Sequence, residues 1–399
     1  MKNNTSFYLT VLFGTIGLIA SDTFIPSMME IAKHFAVSIS VIQSAITIFM
    51  LAFCLSRFVV SILSDGVGRK SMFILCFSLL FFGSLACLFA YNQYLFIAGR
   101  FLQGIGAGGS NVLARVIIRD TTENKDLAKY NAKYSMFAVT LMVAAPFIGS
   151  LLQTYFNWQA SFIFIALLSI LSLFISIFIY RETNSHKKLS HIKFNAMKIN
   201  FMRLLEAPHG IRYSSLLFSS FGFMTAWLAS GSVILQEKMH LSYLEFGYCA
   251  LFVGLFYFIS SFISSKCVKN VGESKLISLA VKLFIIPPLL LACSLLFNDA
   301  YVSIFIIVLS VAVSFFAAGI IIPNAYSLGV KEFSEIAGMA GAFFGFSQMF
   351  GGFIYSFIIS CSSSFSIFPL LGTMIATFVI AQLAITNLNY GALSLKDEL

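Results

Sequence analysis

The chain has 399 residues, 59% of them hydrophobic and 10% charged, with a formal net charge of +9 and a mean hydropathy of +0.92. A soluble chain carries about a quarter charged residues, so this composition excludes an ordinary water-soluble domain and points to lipid as the solvent. The apolar runs are continuous and about 20 residues long, which suits helices crossing a core about 30 Å thick; the strict alternation of a barrel strand is absent.

Twelve spans are expected in chain order, near 7–29, 39–63, 72–91, 93–118, 130–153, 159–180, 211–236, 242–265, 275–297, 300–328, 333–360 and 365–388. The start also reads as a signal peptide, with Lys2 before an apolar run from Phe7, but the run continues through Asp22 without a clean cleavage site. The last residues, Lys396-Asp397-Glu398-Leu399, spell a retention signal that a lumenal receptor reads. The expected topology puts this end in the cytoplasm, so the match is read as chance. Positive charge is lopsided. Lys2, Arg69, Lys70, the Arg119–Lys133 stretch, the basic residues of 181–212, and Lys266, Lys269, Lys275 and Lys331 fall on one side, against Lys33 and Lys238 on the other. By the positive-inside rule both termini are cytoplasmic. The same asymmetry accounts for the basic balance without nucleic acid.

The longest polar stretch, 181–212, divides the chain into an N-terminal six-helix half (1–180) and a C-terminal one (213–399), with 181–212 as a cytoplasmic linker. An offset of 204 aligns Ser38 with Ser242 and Val67-Gly68 with Val271-Gly272. The seven cysteines form no CxxC pair and imply neither a disulfide framework nor a metal cluster. The five histidines, His34, His186, His191, His209 and His240, all fall in expected loops. No phosphate-binding Walker loop and no catalytic constellation occurs, so neither ATP hydrolysis nor enzyme chemistry is expected.

Charges inside spans are costly, about 2.5–3.5 kcal/mol each at the bilayer centre, so each needs a purpose or a partner. Four are read there: Asp22, Arg57, Arg100 and Lys282. Asp22 is the one acid clearly inside a span, and a carboxylate so placed can take a proton from one side and release it to the other; the alternative is a permanent structural ion pair. Pro26, four residues on, lacks the N–H that the Asp22 carbonyl would use. Arg100 is the expected partner of Asp22, either coupling proton movement or standing as a static pair. Arg57 either snorkels to the span end, reads an anionic substrate, or competes with Arg100 for Asp22. Lys282 is read as snorkelling.

The loop after span two, Leu63-Ser64-Asp65-Gly66-Val67-Gly68-Arg69-Lys70, resembles the signature loop of the major facilitator superfamily. Ser61 and Gly66 depart from it. Asp65 is expected near a helix N-terminus, accepting backbone N–H bonds, with Gly68 at a tight turn and Arg69 and Lys70 pairing across the face. Further stretches narrow the likeness: Ser21-Asp22-Thr23-Phe24-Ile25-Pro26, Arg100-Phe101-Leu102-Gln103-Gly104, Arg115, Arg119-Asp120, Ala145-Pro146-Phe147-Ile148-Gly149, Asn157-Trp158, Ile322-Pro323-Asn324 and Gln348-Met349-Phe350-Gly351-Gly352. Together they resemble the drug:proton antiporters, in particular the Bcr/CflA group of bacterial efflux pumps.

The resemblance implies an all-α membrane protein of twelve transmembrane helices in two pseudo-symmetric halves, exporting small molecules against protons from the bacterial inner membrane. It implies no cofactor beyond the proton gradient, no nucleic acid, and a monomer in the lipid bilayer. It assigns proton coupling to Asp22 and Arg100. Asp22, Pro26, Arg57, Gln103, Trp227, Asn324 and Gln348 become candidate cavity residues. Asp65, Gly68, Arg69, Lys70, Arg115, Arg119, Asp120, Pro146 and Gly149 become candidate conformational motifs. Helix packing is the plainer account of Pro146, Gly149, Pro323, Asn324 and Gln348. A transporter of an anionic metabolite or siderophore with the same fold is the alternative.

Overall fold

The computed structural model describes residues 4–122, 124–184, 194–362 and 366–394. Lys2, Lys187, Lys188, Lys193, His186, His191 and the final four residues, all weighed above, lie outside the described residues. Among the described residues every regular element is helical, and twelve helices are long and apolar enough to cross a membrane. This is the outcome lipid demands, because only a helix bonds its own N–H and C=O groups along its length.

The elements are α1 (Asn4–Asp22), a 3-10 turn (Ile25–Ser27), α2 (Met28–His34), α3 (Ile39–Val67), α4 (Arg69–Leu88), α5 (Gln93–Thr121), α6 (Asn124–Tyr155) and α7 (Gln159–Phe178). They continue with α8 (Phe194–Glu206), α9 (Pro208–Ser232), α10 (Tyr243–Val271), α11 (Glu273–Leu283), α12 (Ile286–Ser294), α13 (Ala300–Glu332), α14 (Ala337–Cys361) and α15 (Phe368–Ser394). Side chains mark several starts. Asn92 accepts from Leu95 N at 2.9 Å ahead of α5, and Asp299 accepts from Val302 N at 3.0 Å ahead of α13. Ser242 and Glu245 form a capping box at α10: Glu245 Oε2 accepts from Ser242 N at 2.8 Å, and Ser242 Oγ accepts from Glu245 N at 3.3 Å.

In span seven α9 ends in a π-helical turn, Val233–Lys238, and two further spans are cut outright. Span one is cut after Asp22, and α2 runs it on to His34. Span nine is cut between Leu283 and Ile286, where Pro287 and Pro288 cannot donate to the preceding turn. The expected linker is partly ordered. Residues 194–206 form α8, whose Leu204 is buried where a Cβ on Gly210 would strike its carbonyl. The Phe201 ring lies 5.3 Å from that of Phe343 on α14.

The chain forms two compact units. One takes the described residues of Met1–Lys193 together with Leu241–Leu251, so the first turns of α10 pack with it. The other takes Phe194–His240 and Phe252–Leu399. Gly68 at φ 106° opens α4 and Gly272 at φ 86° opens α11, so the 204-residue offset pairs two left-handed glycines between equivalent helices. Large apolar side chains such as Phe82, Leu167, Leu289 and Phe305 are more than half exposed, as a lipid-facing surface requires.

Within the first unit α5 is the central post. Cβ atoms added at Gly104 and Gly108 would strike the carbonyls of Phe49 and Phe53 on α3, and one at Gly106 would strike that of Cys76 on α4. Small residues let the backbones approach this closely, where packing rather than the hydrophobic effect holds helices together. Gly108→Val is therefore expected to lower the unfolding midpoint of the purified protein, by an overpacking cost of about 1–3 kcal/mol. Gly372→Ala, with nothing within 4 Å of the new Cβ, should leave it unchanged. Equal midpoints for the two variants in a thermal melt would contradict the packing account.

Candidate functional site

The site begins with the cut in span one. Between Asp22 and the 3-10 turn at Ile25 the helical ladder stops, because Pro26 has no N–H to offer the Asp22 carbonyl. Carbonyls at such a break need donors from elsewhere. Arg100 on α5 supplies them: Nη1 donates to Ala20 O at 3.0 Å and Nη2 to Ser21 O at 3.3 Å. Ser161 on α7 donates to Thr23 O at 3.1 Å. On α6, Gly149 meets the same Thr23 carbonyl, and a Cβ there would overlap it. The break is thus gripped from three helices.

Asp22 is buried at the centre of this grip and accepts a short hydrogen bond from the neighbouring Ser21 Oγ. The expected direct pairing with Arg100 takes a different form. Among the described residues no ion pair within 4.0 Å joins the two. The guanidinium instead holds the two carbonyls just before Asp22, donates to Gln103 Oε1 at 2.7 Å, and lies 4.2 Å and 4.3 Å from the ring centroids of Phe24 and Phe49. Arg100 is 1% exposed. Its fixed fork suits this multi-point role, which a point-charged ammonium cannot fill.

Gln103, read as a cavity residue, faces the helix packing: its Nε2 donates to Ser84 Oγ on α4 at 2.8 Å, and Ser84 passes the bond to Leu80 O. Pro26 is buried in the 3-10 turn beside Asp22. Pro146 lies inside α6, which continues unbroken through it, and Ser150 Oγ donates to Pro146 O at 3.0 Å. The Ser150 Cβ and Oγ face Gly247 at the start of α10. Gly247, without a side chain, leaves the space that Ser150 occupies.

A second cluster sits at the α3–α4 junction. Asp65 is in the last turn of α3, not at a helix start, and its carboxylate pairs with Arg69 at 2.5 Å. Arg69 is 3% exposed; its Nε donates to Asp120 at 3.0 Å and its Nη1 to Ser64 Oγ at 2.5 Å. The acceptor at the start of α4 is Glu182, which the sequence reading missed. Its Oε1 takes Arg69 N at 2.9 Å and the N–H groups of Thr183 and Asn184 at 3.0 Å. Asn184 Nδ2 in turn donates to Asp65 O at 3.0 Å, and Lys70 donates to Ile177 O at 2.8 Å. Arg119 stays half exposed beside Asp120 at 3.4 Å. One acid directly after a basic residue at a span end was the signal for Glu182.

Arg57 on α3 and Arg115 on α5 are both half-buried. Arg115 lies 4.8 Å from the Tyr134 ring centroid, and the Tyr134 hydroxyl accepts from Asn111 Nδ2 at 3.0 Å and donates to Gly14 O at 3.2 Å. Asn111 and Tyr134 were not singled out in the sequence, although a buried amide inside span four is itself a signal. Lys282 is exposed in the last turn of α11, as a snorkelling side chain would be.

In the second unit Trp227 is buried in α9 against Gly231. Asn324 donates to Ser264 Oγ and to Ile320 O, both at 2.7 Å, so it ties α13 to α10. Gln348 is half-buried on α14.

The Arg100 geometry yields a discriminating expectation. Arg100→Lys keeps the charge but cannot reach all three acceptors, so it should destabilise the protein nearly as much as Arg100→Gln, by at least one charged hydrogen bond, about 1.5–3 kcal/mol. Full rescue of the unfolding midpoint by lysine would mean that charge alone matters.

The sequence profile of the Major Facilitator Superfamily matches residues 11–356. A bicyclomycin resistance protein homolog of Haemophilus influenzae is 24% identical over 392 residues, 96% of this chain and 97% of its own. Multidrug resistance protein MdtL of Escherichia coli is 27% identical over 383 residues, 95% of this chain and 93% of its own. Among solved structures, a D-xylose–proton symporter superposes with a TM-score of 0.72 at 13% identity, covering 96% of this chain and 95% of that one. The nucleoside transporter NupG gives 0.73 at 11%, covering 96% and 98%. The two structures share the fold, and the profile covers most of the chain: this protein belongs to the Major Facilitator Superfamily and is a transporter, not an enzyme.

Proposed function

We propose that the chain is a proton-coupled exporter of small, drug-type molecules, with Asp22 as the proton carrier. The observation that carries this reading is a buried carboxylate at a helix break whose scaffold does not depend on its charge. Arg100 is anchored on Ala20 O, Ser21 O and Gln103, so protonating Asp22 leaves those bonds in place. The group can load and unload a proton without dissolving its surroundings. The likeness to bicyclomycin- and multidrug-resistance proteins supports the class of cargo.

In this mechanism ionised Asp22 favours substrate and protonated Asp22 releases it. Proton and substrate compete for one state, and competition gives exchange. Each charge moved contributes about 2.3 kcal/mol per 100 mV of membrane potential. Alternating access follows the scheme of transporters built from internal repeats. The proton gradient is the sole energy source, with no cofactor. The protein sits as a monomer in a bacterial inner membrane with both termini cytoplasmic, and it binds no nucleic acid. The sided arrangement of lysine and arginine supports that orientation.

Asp22→Asn is expected to abolish proton-driven dye export in inside-out vesicles while the unfolding midpoint stays near that of the parent. Undiminished proton-coupled export by the variant would remove Asp22 from the mechanism.

A further inference from the structure

A single extended residue, Ala207, separates α8 from α9, and Pro208 is already the first helical residue of α9. A Cβ on Gly210 would strike Leu204 O, so the last turn of α8 lies against the first turn of a membrane span. This holds α8 at the level where that span leaves the bilayer. Its inner side is packed. Leu204 is buried, the Phe201 ring lies 5.3 Å from that of Phe343 on α14, and Arg203 pairs with Glu335, just ahead of α14, at 3.4 Å.

A second side of α8 is apolar and uncovered. Ile199, Met202 and Leu205 recur at every third residue and are exposed, Ile199 by 67%. At about 100° per residue they form one arc of the helix, roughly a third of a turn from the arc of Phe201 and Leu204 and roughly a third of a turn from that of Asn200 and Arg203. One side thus meets protein, one is polar, and one is a bare apolar stripe, the pattern of a helix lying in the interface plane. The stripe continues a surface that already faces lipid, because α9 goes on to expose Ile211. Charge gives the second preference. Between 181 and 212 the sequence sets Arg181, Lys187, Lys188, Lys193, Lys198, Arg203 and Arg212 against Glu182 and Glu206. Basic residues beside a span are drawn to anionic headgroups. The field of the whole stretch supplies that attraction, with no single side chain acting as a ligand.

We infer that the Ile199–Met202–Leu205 face of α8 docks on an anionic lipid surface beside the start of α9. The helix lies along the bilayer with this face about 5–10 Å into the boundary between headgroups and acyl chains. Its protein side stays on Phe343 and Glu335, so α8 is a strut between the bilayer surface and the start of α14. The docking goes beyond the exporter reading and depends neither on the cargo nor on Asp22.

The test places one tryptophan at a time on α8 of the full chain, reconstituted in phosphatidylcholine vesicles with or without phosphatidylglycerol. Native Trp158 and Trp227 are buried, and the parent measures their background. Lipid brominated near the top of its acyl chains and acrylamide in the water then report where the added ring sits. Ile199→Trp, Met202→Trp and Leu205→Trp should be quenched by the brominated lipid and shielded from acrylamide, and Asn200→Trp should show the reverse. Phosphatidylglycerol should deepen the lipid quenching at the three stripe positions, and high salt should remove that gain. Melting curves verify that each variant is folded, and three stripe positions allow for the loss of one. Acrylamide quenching at all four positions leaves the stripe in water and overturns the docking. Shielding of the stripe from both quenchers means that protein covers it, from this chain or a second copy, and overturns the docking too. Equal lipid quenching with and without phosphatidylglycerol overturns the anionic partner. No transported dye enters the experiment, so its failure leaves the exporter reading untouched.

Discussion

A helix interrupted inside a membrane leaves carbonyl groups that no water can satisfy, and the interruption after Asp22 sets what its neighbours must be. Arg100 is fully buried because Ala20 O and Ser21 O need donors. Ser161 faces inward because Thr23 O needs one. Position 149 is glycine because that carbonyl fills the space of a side chain. Three separate sequence motifs thus answer one local requirement. Unpaired, each of these carbonyls would cost several kcal/mol in hydrocarbon.

The same logic links the motif at the α3–α4 junction to the rest of the first unit. Gly68 turns the chain in a left-handed conformation, the next N–H is taken by Glu182 beyond α7, and the Arg69 side chain is clamped by Asp65, Ser64 and Asp120. Ends of α3, α4 and α5 and the segment after α7 therefore meet at one arginine. The second unit repeats the turn at Gly272 but follows it with Glu273, which accepts from Ser327 on α13 at 2.7 Å. Helix order is kept while the charge at the turn is reversed.

Much of this was legible in the sequence. Twelve spans, the glycine turns, the buried acid and the motif residues could be read because hydropathy, a missing proline N–H and intramembrane charge are local signals. What was misjudged depended on which face of a helix meets which neighbour. Arg100 could be read as the partner of Asp22, but not its bonds to the carbonyls of the broken helix, which sequence does not display. Gln103 looked like a cavity residue, yet it is spent on Ser84. Asp65 was expected to cap a helix, and Glu182, more than a hundred residues away, does so. Chemistry within one helix was visible; partners on other helices, 19 to 138 residues away, were not.

The account turns on Asp22 exchanging its proton for substrate while its scaffold stays in place. Proton release from the purified protein in weakly buffered detergent, recorded as a transported dye is added, tests this most directly. The account predicts stoichiometric release by the parent and none by Asp22→Asn. Equal release from both would contradict it.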